Sequence, residues 1–444
     1  MISRLANLLT VWAQRWVPDA YVIAIVLTII VFLLCVTVGQ ATLPQAVDAW
    51  GQGFWELLQL AMQMCLIMLG GYVLAQTRPM AAFLDAIAKQ ATTPRRAVLV
   101  VALFSMLSAL INWGLSISAS AVCAKVVARR CPKADFRLLI ASAYLGMATT
   151  WHAGLSASAP LMVATEKHFL ADVIGVVPIR ETLFTPFNIL LTAIIVLVIA
   201  FLMPRLHPGE TQTVPAPQIS DFEARAEEKS EKTWGDWLER TPWLTLFVAA
   251  LAGFYLWRYF AAKPWGIDLN TVNFILLMAA ILLHWTPRGF LAACQRGGGF
   301  VWGIIIQFPF YAGIYGLIKF TALQDKLAGV FVKTSTPATF PLLVYWYSGI
   351  VNYFVPSGGS KWAIEAPYIL AAGRDLGVPT ALTVLAYAWG DMMTDAIQPF
   401  WAIPLLGLAG LKFRDIMGYL TLVFLIYAAL VSLAFLLAPS FFQA

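Results

Sequence analysis

The chain has 444 residues, 60% of them hydrophobic and only 12% charged, with 17 Trp and 28 Phe, whereas ordinary soluble domains are about 25% charged. A soluble globular domain is excluded, and the small net charge of +6, carried between apolar runs, marks membrane orientation rather than nucleic-acid binding. Cys35, Cys65, Cys123, Cys131 and Cys294 form no CxxC spacing, so neither disulfides nor a metal cluster are expected.

Arg4 and Arg15 precede an apolar run at 20–39. The run is longer than a signal-peptide core and lacks a cleavage site, so it is expected to remain as the first span, with the N-terminus in the cytoplasm. A second span covers 54–75. The loop between the two has no Lys or Arg and should lie outside, whereas Arg78, Lys89, Arg95 and Arg96 place the next loop inside. The apolar run 97–124 is followed at once by Lys125, Arg129, Arg130, Lys133 and Arg137. A single crossing would put one of these basic flanks outside. A hairpin that enters, turns at Asn112-Trp113-Gly114 and returns keeps both inside, each arm reaching roughly 20 Å at about 1.5 Å per residue. One long kinked span is the simpler alternative.

Residues 138–164 then cross outward with an interruption at Thr149-Thr150-Trp151-His152-Ala153-Gly154, and 187–203 return. The polar stretch 204–241 reads as a cytoplasmic linker, and 242–260 as a connecting span. The second half (261–444) repeats the order of the first (1–203): spans at 271–285 and 299–319, a re-entrant run at 339–373, an interrupted run at 378–411 and a last span at 416–437. Lys412 and Arg414 fit an inner loop, while Lys319, Lys326 and Lys333 fall outside, against the positive-inside rule.

The halves share landmarks at offsets of 240 to 244 residues. Asn112 matches Asn352, Gln63 matches Gln307, Ala143-Tyr144 matches Ala386-Tyr387, and Pro160 matches Pro404. With one connecting span between them the repeats are inverted, a common transporter plan. Helix breakers at membrane depth are tolerated where protein or a water-filled cavity satisfies the freed backbone. Two such tips beside two interrupted helices would offer helix N-termini for a carboxylate and oxygens for sodium. The candidate set is therefore Asn112, Trp113, Gly114 and Ser116 at the first tip, and Asn352, Pro356, Ser357, Gly358, Gly359 and Ser360 at the second. A sodium ion is expected near Asn112, Asn352 and Ser357, and Ser357 or Ser360 is expected to cap the returning helix.

Asp391 and Asp395 share a helical face at i, i+4, with Gln398 a turn further on; intramembrane carboxylates read as a cation ligand or proton carrier, against a solvated helix end. Lys361 and Glu365 form another i, i+4 pair, read either as mutual neutralisation or as Lys361 receiving a substrate anion. His152 is a proton relay or a hydrogen-bonded structural histidine, and Thr150 lies beside it. Gln63, Gln307 and Gln398 could orient a carboxylate, and Trp113, Trp151, Phe400 and Trp401 could wall an alkyl chain. His168, His207 and His284 suggest nothing sharp.

Asn112-Trp113-Gly114, Gln307-Phe308-Pro309-Phe310-Tyr311-Ala312-Gly313-Ile314, Val355-Pro356-Ser357-Gly358-Gly359 and Gln398-Pro399-Phe400-Trp401-Ala402-Ile403-Pro404 together resemble the AtoE-type short-chain fatty acid transporters. Gly53-Phe54-Trp55 and Arg414-Asp415-Ile416-Met417-Gly418-Tyr419 extend the resemblance nearly end to end. It implies a bacterial cytoplasmic-membrane protein, a branch of the ion transporter superfamily, and cation-driven uptake of small carboxylates such as acetoacetate or butyrate; the superfamily likeness also implies a homodimer. Two departures stand out: Ser360-Lys361 occupies the place of a further Gly and a His, and Asp391 and Asp395 occur where the family lacks two aspartates.

The expected molecule is an all-α polytopic membrane protein of two inverted repeats, each with a re-entrant hairpin and an interrupted transmembrane helix. Its expected partners are a small carboxylate and the lipid bilayer, with no cofactor beyond Na⁺ or H⁺ as coupling ion. It is expected to be a secondary carrier rather than an enzyme. The alternatives are a carrier of a different organic anion, a channel or sensor, and an intramembrane Mg²⁺-dependent transferase built on Asp391 and Asp395, for which one Asp-x-x-x-Asp is a weak signature.

Overall fold

The computed structural model describes residues 20–209, 212–216 and 233–442. Arg4, Arg15 and residues 210–211 and 217–232 of the predicted linker lie outside the described residues. Among the described residues the chain is helical, without strands. The first half contains α1 (Ala20–Thr37), α2 (Leu43–Gly53), α3 (Leu58–Ala75), α4 (Arg78–Ala88), α5 (Pro94–Ile111), α6 (Trp113–Arg130), α7 (Phe136–Thr149), α8 (Ser158–Val163) and α9 (Pro186–Leu202). Next come α10 (Trp234–Arg240) and α11 (Trp243–Ala262). The second half contains α12 (Leu269–His284), α13 (Pro287–Gly297), α14 (Trp302–Lys319), α15 (Leu323–Thr334), α16 (Phe340–Phe354), α17 (Gly358–Asp375), α18 (Thr380–Met393), α19 (Ile403–Ala409) and α20 (Phe413–Leu437).

Many of these helices start on one local rule. Thr42, Thr77, Thr93, Thr185 and Thr286 each accept an early amide on their hydroxyl, and in each case Pro occupies one of the first two helical positions. Proline loses nothing there, because a first-turn N–H has no intrahelical acceptor. Among the described residues α3, α5, α9, α11 and α20 are long and apolar enough to cross a membrane, and α13 with α14 adds one more, bent by 46°. Trp243, Phe247, Phe254 and Trp257 of α11 are exposed, an apolar surface of the kind that acyl chains cover.

Both motif-bearing runs fold back on themselves. Ser116 Oγ donates to the Ser105 carbonyl at 2.9 Å; along one straight helix these residues would stand about 16 Å apart. The Tyr347 and Tyr368 hydroxyls meet at 2.8 Å, where a straight helix would separate them by about 31 Å. α5–α6 and α16–α17 are therefore helical hairpins. α5 starts at Pro94, before two exposed arginines, so its 18 residues extend about 27 Å, longer than the arm read from the sequence.

The interrupted helices follow. α7 stops at Thr149, a 3-10 turn covers Trp151–Ala153, and α8 resumes at Ser158; α18 stops at Met393, and a 3-10 turn at Phe400–Ala402 leads into α19. At 14 residues each, α7 and α18 reach about 21 Å, short of the roughly 30 Å apolar core. Equivalent helices pack alike: α5 on α7 as α16 on α18, α3 on α6 as α14 on α17, and α4 on α6 as α15 on α17. A Cβ on Gly146 of α7 would sit 2.2 Å from the Ser105 carbonyl oxygen, and one on Gly390 of α18 would sit 2.3 Å from that of Tyr345. The same backbone approach is thus made in both halves, at offsets of 244 and 240 residues. The short helices α2, α4, α13 and α15 have no counterpart in the apolar-run reading.

Candidate functional site

The second hairpin tip is built by Val355-Pro356-Ser357, after which α17 begins at Gly358. The first amides of a helix have no intrahelical acceptor, and those of Gly358, Gly359 and Ser360 meet none elsewhere among the described residues. Ser357 stands at the N-cap position, but its hydroxyl accepts from Ser360 Oγ instead of capping an amide, so neither serine caps the helix as expected. A Cβ on Gly358 would lie 2.5 Å from the Trp151 ring, 2.7 Å from Ser158 Oγ and 2.8 Å from Asp391 Oδ2. Only glycine lets this helix start touch the first break and the α18 carboxylate at once.

One turn into α17 stands Lys361, fully buried. Its ammonium is 3.0 Å from Asp391 Oδ1 and 3.4 Å from Glu365 Oε1. It donates to the Ser348 carbonyl at 3.2 Å and to the Ser348 hydroxyl, and lies 4.2 Å from the centroid of the Tyr387 ring. Tyr387 Oη in turn donates to the Gly358 carbonyl at 2.7 Å. A buried charge demands pairing and hydrogen bonds, and this lysine has both.

Asp391 and Asp395 are also buried, but they face different partners. His152 Nε2 accepts from the Ala159 amide at 3.2 Å, so Nδ1 carries the ring proton and donates it to Asp391 Oδ2 at 3.1 Å. Asp395 accepts from Trp151 Nε1 at 3.0 Å on one oxygen, and from Asn352 Nδ2 at 2.8 Å and Gln398 Nε2 at 3.3 Å on the other. Tyr144 Oη donates to the Asp395 carbonyl at 3.1 Å. The two helix breaks therefore cross, with His152 and Trp151 of the first facing Asp391 and Asp395 of the second. The donor set does not suit Mg²⁺: an ammonium occupies the approach to Asp391, and amide and indole N–H groups occupy Asp395.

The first tip is assembled differently. Asn112 lies at the break itself, its Oδ1 accepting from the Leu115 amide at 2.7 Å and its Nδ2 donating to the Ile67 carbonyl of α3 at 2.9 Å. Its amide is spent on closing the hairpin and seating it on α3. Ser116 Oγ and Thr150 Oγ1 are likewise bound to backbone carbonyls of α5, Ser105 and Met106. Gln63 donates to Asn270 Oδ1 at 2.7 Å, and Gln307 is half-buried on α14, so neither joins the charged cluster. No contact among the described residues joins Asn112 to Asn352 or Ser357, and the amide oxygen of Asn112 is already an acceptor.

The Trp113 amide donates to Ser156 Oγ at 2.5 Å, and Ser158 lies against Gly358. The two tips thus flank Ser156-Ala157-Ser158, a step of roughly 7 Å in extended chain. On the first-tip side is a largely apolar cavity of about 270 Å³, walled by Met68, Tyr72, Trp113, Ile117 and Trp401, with Gln76 and Ser118 as polar groups. The Trp113 and Trp401 rings meet edge to face at 5.2 Å. Glu365 was read from the sequence only as a partner for Lys361. Ser348 opens the second copy of the duplicated motif, as Ser108 opens the first, and Tyr144 and Tyr387 carry the paired Ala-Tyr steps, but Ser158 gave no sequence signal.

A family model described as short chain fatty acid transporter matches residues 1–438. The chain belongs to that family. It is 36% identical over 422 residues to a protein of Escherichia coli K12 named for short-chain fatty acid transport, covering 94% of this chain and 96% of that one. A protein of the same name from Haemophilus influenzae Rd is 34% identical over 430 residues, again covering 94% and 96%. In fold the transporter is similar to the Alcanivorax borkumensis YdaH transporter, solved by crystallography and described as having an unusual topology. The TM-score is 0.61 at 17% identity, over 95% of this chain and 97% of that one. It is also similar to Neisseria gonorrhoeae MtrF, with a TM-score of 0.50 at 15% identity over 98% and 96%.

Proposed function

We propose that this transporter carries small monocarboxylates across the bacterial cytoplasmic membrane in symport with protons, by alternating access of two inverted halves. The observation that carries the reading is the buried Lys361, one turn from three unpaired amides at the start of α17, where the two broken helices cross. An ammonium and a helix N-terminus both favour a carboxylate. The alkyl part lies toward Trp113 and Trp401, on the far side of Ser156-Ala157-Ser158. The same geometry favours a proton over sodium: the carboxylates already face Lys361, His152, Trp151, Asn352 and Gln398, all donors, which repel a metal cation and accommodate proton exchange. The repeated packing of α5 on α7 and α16 on α18 supports the two-halves plan.

Purified protein in liposomes, given labelled butyrate or acetoacetate under an inward proton gradient in one arm and a sodium gradient in the other, tests this directly. Accumulation under the proton gradient alone is expected. Accumulation driven by sodium alone would overturn the choice of ion, and no uptake in either arm would overturn the carboxylate reading.

A further inference from the structure

Three acidic side chains are buried around the crossing, and they are not equally provided for. Asp391 has His152 Nδ1–H on one oxygen, and its other oxygen is ion-paired with the Lys361 ammonium at 3.0 Å without completing a hydrogen bond. Asp395 receives three side-chain N–H groups. Glu365 accepts from Lys361 at 3.4 Å on Oε1 and has the Ser348 hydroxyl beside it, and its Oε2 meets no partner among the described residues. It is nonetheless fully buried. A buried carboxylate with one long hydrogen bond is held less well than one with three, as at Asp395, and one ammonium cannot neutralise both Asp391 and Glu365.

We propose that Glu365 is the proton-binding residue of the transport cycle, exchanging its share of Lys361 for the substrate carboxylate. This rests on the reading of Lys361 as the carboxylate's receptor. The proton adds to the Glu365 carboxylate and makes it neutral; Lys361 then has one anionic partner fewer and accepts the substrate anion, and loss of the proton reverses both events. One proton and one monocarboxylate move together, so the charge of the cluster is the same empty and loaded. Proton and substrate favour each other reciprocally, as linkage requires.

The surroundings leave Lys361 as the only cation for the exchange among the described residues. Facing Glu365 are Lys361 of its own helix, Asp391 and the Tyr387 phenol of α18, the Tyr347 phenol and Ser348 hydroxyl of α16, and the Tyr368 phenol of α17. The charged residues of α15, Asp325, Lys326 and Lys333, are exposed away from it. Lys319 of α14 donates to the Phe169 carbonyl, and α8 has no charged residue.

The test uses wild type and Glu365→Gln in liposomes with butyrate, comparing accumulation driven by a proton gradient with exchange of labelled for unlabelled butyrate at equal pH. Butyrate binding in two buffers of different ionisation enthalpy reports protons taken up directly. The proposal expects the wild type to take up a proton on binding butyrate and E365Q to take up none, with accumulation falling about tenfold or more beyond any fall in exchange, as linked sites do. Equal proton uptake in both proteins, or accumulation by E365Q at the wild-type rate, overturns the assignment to Glu365. If E365Q is too unstable to assay, the wild type alone decides, because butyrate binding without proton uptake overturns the proposal. Failure of the wild type to bind or exchange butyrate overturns instead the carrier reading beneath it.

Discussion

Removing the Lys361 ammonium separates its stabilising role from its transport role. At an effective dielectric of about 20, opposite charges at the observed 3.0 Å attract by about 5.5 kcal/mol, a gross value largely consumed by the desolvation of both groups. What is not recovered on mutation is the cost of the carboxylate left behind. Breaking one side of a buried pair costs about 3–5 kcal/mol, and K361M should lose that much. Asp391 would keep the His152 N–H on one oxygen, but its other oxygen would face methylene groups.

In the double variant K361M/D391N the carboxamide at 391 carries no charge, so the part of the lost stability due to Asp391 should return, while Glu365 still lacks its ammonium. Butyrate uptake should not, because the receptor of the anion is still missing. The assay is thermal unfolding of the purified protein in detergent alongside uptake in liposomes, for wild type, K361M, D391N and the double variant. If K361M unfolds with the wild type, the ion pair contributes nothing. If the double variant transports butyrate normally, Lys361 does not receive the substrate.

Gly71→Ala should lower stability by roughly 1–3 kcal/mol through overpacking, because its Cβ would fall 2.0 Å from Asn112 Oδ1 and 2.5 Å from the Leu115 amide. Gly70→Ala, whose nearest neighbour is Leu276 Cβ at 3.9 Å, should unfold with the wild type, and equal behaviour of the two would dismiss the close seating of the first tip on α3. Trp401→Ala should enlarge the cavity beside Trp113 and raise uptake of hexanoate relative to butyrate; an unchanged ratio would place the alkyl chain elsewhere. Asn352→Leu removes the 2.8 Å donor to Asp395 and should abolish uptake while the protein still inserts, as judged by its yield from washed membranes. Gln63→Ala should cost about 1 kcal/mol, the usual net value of one hydrogen bond, and leave the KM for butyrate unchanged, since Gln63 serves Asn270; a raised KM would return it to the site.

The sequence announces its matched helix breaks because helix breakers in an apolar run are costly wherever they are not needed, and that signal survives without any alignment. It does not announce what each break does, because that depends on single-residue placement. Asn112 is the residue at the break and must satisfy the backbone it frees. Asn352 lies inside α16, before the chain breaks at Val355-Pro356-Ser357, and its amide is free to reach across to Asp395. The two look equivalent in the sequence and do different work. The matched glutamines fail for the same reason, since Gln63 turns to α12 and Gln307 stays on α14. Gly146 and Gly390, which fix how each hairpin meets its broken helix, are indistinguishable in the sequence from any glycine in a helix.

That asymmetry decides where chemistry can occur. Around the crossing, the first half contributes neutral donors, His152, Trp151 and Tyr144, and a hairpin tip whose polar groups are spent on its own closure. The second half contributes every formal charge, Lys361, Glu365, Asp391 and Asp395, and a tip with unpaired amides. The two hairpins pack on their broken helices alike, but the charge is not shared between them. The charge is concentrated on α17 and α18, with His152 of the first break touching it at Asp391. The first hairpin is seated on α3 through Asn112 and Gly71 and contributes none of that charge.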